Sequence, residues 1–295
     1  VGNLKTYKMI GVYHNRDLDG FTSGAIIKLK YPDAKMMGYD YGQPFEQEVT
    51  GEPIIMADVS LPMKTMVKIA QLSNWQLTWI DHHISAINDY KEFVGDGESF
   101  CHAVLENGIA ACEGTWKHLF PEKQIPLAVL LLGEYDTWRN ADKQRWENEI
   151  LPFQFGMRLY CNSVDSFPIE VFENEDLVKQ IIHEGLTVLK YQSQVNELQC
   201  KKASFETEFN GLRAICLNGG GFNSDVFKSV YDESKHDIMM PFQFDGKKWT
   251  ISLYTTKNEV DCSLIAKANG GGGHKKAAGF QVEDISKIFS QIQIA

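Results

Sequence analysis

Trp75-Gln76-Leu77-Thr78-Trp79-Ile80 runs straight into Asp81-His82-His83. A short, largely apolar run of this kind reads as a buried strand. This one ends on a carboxylate followed by two imidazoles. The pattern occurs twice more upstream: residues 8–13 lead into His14-Asn15-Arg16-Asp17-Leu18-Asp19-Gly20, and residues 53–57 lead into Asp58. In an open parallel sheet, ligands gather at the carboxyl ends of the strands. Three strands that deliver carboxylates and imidazoles to one rim would assemble a metal site there.

Working outward, strands alternate with helices. Phe21, Ala25, Ile26 and Leu29 fall at helical spacing over 20–29, and Pro32 ends the run. Residues 35–41 read as a strand, closed by the breakers Gly42 and Pro44, and 61–72 as a helix with Pro62 in its first turn. This alternation implies parallel βαβ units. Helices are then expected over 109–119, 126–133 and part of 144–160. Residues 170–202 are polar and poor in breakers, with Leu177, Ile181, Ile182, Leu186, Leu189 and Val195 near one stripe. Beyond them, strands are expected over 212–217, 237–244 and 249–254, and helices over 222–231 and 262–268. The expected architecture is α/β. An N-terminal parallel-sheet domain covers 1–169, a linker helix 170–204, and a smaller α/β domain 205–295, with the active site in the cleft between the two domains.

Composition narrows the function. With 43% hydrophobic and 23% charged residues, the 295-residue chain has an ordinary globular composition. No stretch is long and apolar enough to span a bilayer, and Val1-Gly2-Asn3-Leu4-Lys5 lacks the apolar segment of a signal peptide. Six scattered cysteines without a CxxC pair suit a reducing cytoplasm and argue against a zinc ribbon. A net charge of -10 argues against tracking a long polyanion by charge alone.

The acidic and imidazole residues carry the chemistry. Asp17 and Asp19 are two apart, so an extended backbone would point them the same way. Carboxylates with imidazoles suit manganese, magnesium or iron-type ions. Two such ions about 3.5–4 Å apart are a common device for phosphoryl-ester hydrolysis. One carboxylate must then bridge them, and Asp58, alone at its strand end, is the candidate. Taken singly, each signal has a plainer reading: an Asp after a strand is usually a helix N-cap, a His pair is often surface or core, and a glycine run is most often a turn. Their joint occurrence at strand ends shifts the balance. Near the C-terminus, Gly270-Gly271-Gly272-Gly273-His274-Lys275-Lys276-Ala277-Ala278-Gly279-Phe280 would let backbone N–H groups approach a phosphate closely.

These residues carry a family resemblance. The chain resembles the DHH phosphoesterase superfamily, named for the triplet found here at Asp81-His82-His83. The glycine-rich segment is similar to the signature of the type 1 DHH-associated domain, as in nanoRNase-like oligoribonucleases and dinucleotide phosphodiesterases. The resemblance implies two divalent cations, manganese first, with magnesium or cobalt as alternatives. His14, Asp17 and Asp58 would hold one ion, and Asp19, Asp58, His82 and Asp136 the other. Asp81 and His83 would be catalytic, orienting ligands or touching the substrate phosphate. Many members place the first His four residues before the first Asp; His14 precedes Asp17 by three. Gly271, Gly272, Gly273, His274 and Lys275 would bind substrate, Arg139 would shape the pocket, and Tyr254 would stack on a base or sit in the core.

The implied function is a metal-dependent phosphodiesterase or 3′–5′ exonuclease that converts short oligoribonucleotides, or linear or cyclic dinucleotides, to mononucleotides. The length leaves no room for the extra nucleic-acid-binding domains of RecJ-type exonucleases. Short single-stranded RNA or a dinucleotide is therefore the expected partner, with neither a membrane nor a long duplex; a homodimer is left open. A pyrophosphatase or exopolyphosphatase is the alternative enzyme, disfavoured by the glycine–histidine segment. A nucleotide-binding regulatory module is the non-enzyme alternative, disfavoured because none of the carboxylates is missing.

Overall fold

The computed structural model describes residues 9–41, 43–45 and 49–289. Lys8, Gly42 and the first five residues, which figured in the sequence expectations, lie outside them. The chain divides into two compact units, Val1–Leu189 and Lys190–Ala295.

The first unit is built on a five-stranded sheet of β1 (Ile10–His14), β2 (Lys35–Tyr39), β3 (Ile54–Ala57), β4 (Leu77–Asp81) and β5 (His102–Leu105). Their order is β2-β1-β3-β4-β5, and every pair is parallel. Alternation along the strands sorts the side chains into two cores. Ile10, Val12, Ile54, Met56, Leu77 and Trp79 face one core, which α2 (Met63–Leu72) and α3 (Ile84–Val94) cover. Tyr13, Ile55, Ala57 and Ile80 face the other. There they meet α1 (Leu18–Lys30), α4 (Ala111–Leu119) and α5 (Leu127–Asp136). A continuous helical run follows through α6 (Lys143–Arg145), a π turn at Trp146–Ile150 and α7 (Leu151–Tyr160). Burial on both faces explains why these strands read as apolar runs rather than alternating ones.

The chain leaves β1 toward β2 on one side and crosses to β3 on the other, so the order reverses between β1 and β3. That is the topological switch point, where open α/β sheets bind ligands. Asp17 and Asp58 follow these two strands. Gly20 lets α1 start this close to β1: a Cβ there would lie 2.0 Å from the His14 carbonyl oxygen.

α8 (Glu175–Ala203) runs across the division between the units. The second unit holds a six-stranded sheet of β6 (Ser204–Phe209), β7 (Leu212–Asn218), β8 (Ile238–Phe244), β9 (Trp249–Tyr254), β10 (Gly272–Gly273) and β11 (Ala277–Val282), in the order β10-β11-β9-β8-β7-β6. All pairs are antiparallel except β7 with β8. α9 (Cys262–Ala268) packs on this sheet, its N-terminus capped by Asp261. Where a helix was expected over 222–231, the chain forms only a 3-10 turn, Ser224–Ser229. Among the described residues no helix is long and apolar enough to cross a membrane.

Candidate active site

Each candidate ligand side chain of the first unit is placed by the end of a strand or one end of a helix, Asp136 being the last residue of α5. β1 ends on His14. Asp17 is the N-cap of α1, its Oδ1 accepting the Gly20 N–H at 3.0 Å. Asp19 sits in the first turn of the same helix. The two carboxylates therefore reach the rim through a helix start, and not through the strand alternation inferred from their spacing. Asp58 follows β3 with a left-handed backbone, φ 58°. It caps no helix; the N-cap position of α2 is Pro62, which corrects the expectation of Pro62 in the first turn.

The atoms converge. His14 Nδ1 lies 3.0 Å from Asp17 Oδ2 and 3.5 Å from Asp58 Oδ2. His82 Nε2 lies 3.6 Å from Asp19 Oδ2, 3.5 Å from Asp58 Oδ1 and 3.4 Å from Asp136 Oδ2. His83 Nδ1 lies 3.8 Å from Asp58 Oδ1. Asp58 thus shows one oxygen to His14 and Asp17, and the other to His82 and His83. Most of these distances exceed a normal hydrogen bond, as expected of donors that face a common centre rather than one another. Within each of the groups His14–Asp17–Asp58, Asp19–His82–Asp136 and Asp58–His82–His83, the ligand atoms lie within 4.8 Å of one another.

Asp81 does different work. Its side chain is fully buried, and its Oδ1 accepts from the His82 N–H, the His83 N–H and the His83 ring, at 2.7, 3.0 and 2.8 Å. It fixes the two histidines and joins none of the three groups. Its Oδ2 is buried without a hydrogen-bond partner. Asn15, next to His14, packs its side chain over Gly38.

The charges are crowded. Burial, then repulsion from Asp58 and Asp136, holds Asp19 well above the usual carboxylate range. Burial likewise lifts Asp136 to about 6, with His82 opposing and Asp58 adding to the rise. Burial works against a charged His14, yet its bonds to Asp17 and Asp58 prevail and raise it to about 10. His82 rises to about 9 in the same way, against burial, through Asp58, Asp19 and Asp136. The Asp81 bond raises His83. Carboxylates and imidazoles without a thiolate, buried and pushed toward protonation by one another, are the donor set of a hard or borderline divalent cation.

Asp19 has a second task that the sequence did not reveal. Its Oδ2 and Oδ1 accept the Ala111 and Cys112 N–H groups at 2.9 and 2.7 Å, at the start of α4. Nearby, Glu113 Oε1 accepts the Ala110 N–H at 3.2 Å and binds the Arg139 guanidinium, which also donates from Nε to Thr137 Oγ1 at 2.9 Å. Arg139 is thus engaged within the fold. Tyr41 was also missed: its ring meets His14 edge-on with centroids 5.3 Å apart, and its hydroxyl accepts the Ser60 N–H at 2.9 Å.

In the second unit the glycine run is not an open loop. Gly272 and Gly273 form β10, paired to Gly279 and Ala278. The N–H groups of Gly270, Gly271 and His274 donate to the carbonyls of Lys267, Ala266 and Ala277. These three amides are therefore engaged within the turn, while Gly272 and Gly273 lie on the edge strand of the sheet. Close approach explains two of the glycines: a Cβ on Gly271 would lie 2.1 Å from the Gly279 carbonyl oxygen, and one on Gly273, at φ 138°, would lie 2.5 Å from Ala278 Cα. The side chains of His274 and Lys275 are exposed. Tyr254, on β9, is half-buried against the cluster around Ile215 and Met239.

No family model matches the chain. Among curated proteins it is 27% identical over 302 residues to uncharacterized protein R106 of Acanthamoeba polyphaga mimivirus, covering 93% of this chain and 67% of that protein. It is 20% identical over 302 residues to oligoribonuclease NrnB of Bacillus subtilis (strain 168), covering 94% and 73%. Among solved structures, the DHH domain of a protein described as a member of a ribosomal-protein family aligns with TM-score 0.62 and 14% identity, over 95% of this chain and 84% of that one. The pGpG-specific phosphodiesterase PggH of Vibrio cholerae aligns with TM-score 0.54 and 12% identity, over 95% and 94%. RecJ of Thermus thermophilus in complex with Mn2+ aligns with TM-score 0.53 and 15% identity, over 97% and 51%. At such identities the structural likeness speaks for the fold alone.

Proposed function

We propose that this chain, which has the fold of the DHH-domain proteins, is a divalent-cation-dependent phosphodiesterase that shortens oligoribonucleotides or opens dinucleotides to mononucleotides. The observation that carries the reading is Asp58, whose two oxygens face two different groups of ligand atoms. His14, Asp17 and Asp58 would hold one cation, and Asp19, Asp58, His82 and Asp136 the second, with manganese the first choice. When bound, such ions polarise phosphoryl oxygens and lower the pKa of water toward neutrality.

The chain's own residues set the stage for attack. Asp81 holds the His83 ring beside the cluster, in place to donate to a phosphoryl oxygen. Asp58 sits at the rim with a left-handed backbone and a buried side chain. His274 and Lys275, with the glycine turn at Gly271, Gly272 and Gly273, would bind the phosphate of the nucleotide's far end. A charge-assisted bond of this kind is worth about 1.5–3 kcal/mol. Nothing in this scheme calls for a nucleophilic Ser or Cys, and all six cysteines are free, which suits the cytoplasm. Support for a nucleic-acid substrate comes from the sequence likeness to NrnB, an oligoribonuclease.

The test is product analysis on a graded ladder of oligoribonucleotides with Mn2+, alongside linear and cyclic dinucleotides and pyrophosphate. Mononucleotide products, with the highest rates at two to five nucleotides, are expected. Pyrophosphate as the best substrate, or turnover that survives exhaustive chelation, would overturn the reading.

A further inference from the structure

The two faces of the six-stranded sheet are covered differently. One face, carrying Cys216, Met240, Ile251, Leu253 and Phe280, is closed by α9 and belongs to a continuous core. On the other face, Ile215, Leu217 and Met239 lie beneath the chain that passes through Phe222 and Phe227. That cover reaches Tyr254 at the end of β9. Farther out, register places Gln243, Thr250 and Gln281 in one row across β8, β9 and β11, and Ser252, Gly279 and Gly272 in the next row. Directly paired residues share a face, so this half of the sheet presents small and uncharged polar groups, with Gln243 and Gln281 exposed and Thr250 and Ser252 half-buried.

Where the cover ends there is a pocket. Gly219-Gly220-Gly221 leaves β7 and folds down tightly. A Cβ on Gly219 would lie 2.4 Å from Phe222 Cε2, and one on Gly220 would lie 1.8 Å from Gln243 Oε1. The cavity measures about 190 Å³, and its lining includes Phe222, Gln243, Thr250 and Ser252 beside Gly219 and Gly221. Gln281 Nε2 donates to Thr250 Oγ1 at 3.1 Å, which steadies the polar row. An aromatic ring bounds one side; an amide and two hydroxyls bound the other. None of the lining residues is charged. This suits a flat, neutral ligand with donors and acceptors along its edge, and it carries no charge to attract a phosphate or a metal ion.

We propose that this pocket holds a nucleobase, stacked on Phe222 and read along its edge by Gln243, with Thr250 and Ser252 beside it. The proposal rests on the nucleotide-hydrolase reading above and names how that enzyme grips its substrate. Gly272, at the glycine-rich turn, lies on the same face two strands from Ser252, roughly 10 Å at ordinary strand spacing. A single nucleotide spans that distance from base to phosphate.

The experiment measures binding of nucleoside monophosphates and of ribose 5-phosphate to the full chain by calorimetry with Mn2+ present. Phe222→Leu, which keeps an apolar cover but removes the ring, is expected to weaken nucleoside monophosphate binding roughly tenfold or more. Gln243→Ala should weaken it roughly threefold to tenfold. Gly220→Ala, whose methyl group displaces the Gln243 amide, should match Gln243→Ala. Ribose 5-phosphate affinity should not change in any of the three. Unchanged nucleoside monophosphate affinity, or equal losses with ribose 5-phosphate, would overturn the proposal. Wild-type protein that hydrolyses oligoribonucleotides while all three variants bind normally would sink the pocket alone. Base-dependent binding by a protein that hydrolyses no phosphodiester would sustain the pocket and refute the hydrolase reading.

Discussion

Asp58 combines three properties in one residue: it is 2% exposed, its backbone is left-handed at φ 58°, and its two oxygens face different partners. Left-handed backbone costs an ordinary L-residue roughly 1–2 kcal/mol, and Asp and Asn tolerate it best. Asp58→Asn therefore tests the charge with the turn intact, whereas Asp58→Ala also strains the turn. Turnover with Mn2+ is expected to fall on the order of a hundredfold or more in both variants. Urea unfolding of the metal-free proteins should show a further loss of about 1–2 kcal/mol for Asp58→Ala only. Near-normal turnover of Asp58→Asn would remove this residue from any bridging role. At this scale the sequence was most readable where type and position coincide, as with a carboxylate at a strand end. It was least readable where a residue has two tasks: the bonds of Asp19 to Ala111 and Cys112 link positions more than ninety residues apart, and no local pattern announces them.

Those bonds matter at the scale of elements. Asp19 joins the start of α1 to the start of α4 by accepting two N–H groups with two oxygens. An asparagine can accept only with its carbonyl and would turn its amide toward the second N–H. Asp19→Asn should therefore destabilise the metal-free protein by about 1–3 kcal/mol, a loss that a pure metal ligand would not show. Arg139→Ala is expected to act similarly: it strips Glu113 of its cation and leaves the carboxylate buried at the α4 terminus. A loss of about 1–3 kcal/mol in urea unfolding, with KM for a dinucleotide unchanged, would mark Arg139 as structural; a raised KM with unchanged stability would mark it as a substrate contact. Elements were legible where burial is complete. β1, β3 and β4 bury nearly every residue and appear as apolar runs. β5, an edge strand with no fully buried residue, left no such run. β6 follows α8 without a breaker at Ala203 and Ser204, so nothing in the sequence marked where helix gives way to strand. The four glycines look flexible in sequence, yet close strand contact demands those at 271 and 273 and a positive φ of 79° suits Gly270, while a Cβ on Gly272 would meet nothing within 4 Å.

For the whole molecule, the crowding of charge at one rim links metal, protons and stability. In the metal-free protein the raised His14 and His82, at about 10 and about 9 against an ordinary 6.5, bind protons more tightly folded than unfolded. Their contribution to stability is fully present below pH 6.5 and is lost as pH rises through 9 and 10. Asp136, raised from 3.8 to about 6, adds stability that is lost in a lower window, between those values. Asp17 works in the opposite sense. Burial pushes it up, but its bonds to His14 and Gly20 prevail and lower it, so it stabilises above its ordinary 3.8 and ceases to do so as pH falls. The metal-free protein should thus lose Tm steadily from about pH 6.5 to about 10. A divalent cation needs neutral imidazoles and ionised carboxylates, so its binding must expel these protons. Calorimetric titration with Mn2+ at about pH 7.5, in two buffers of different ionisation enthalpy, should show release of about two protons per protein when both cations load, one from His14 and one from His82. Affinity should climb with pH until His82 and His14 have titrated, and the gap in Tm between Mn2+-loaded and chelated protein should widen over the same range. If that titration releases no protons, His14 and His82 do not exchange a proton for a metal, and the rim is a charge cluster that serves the fold instead of a two-cation centre.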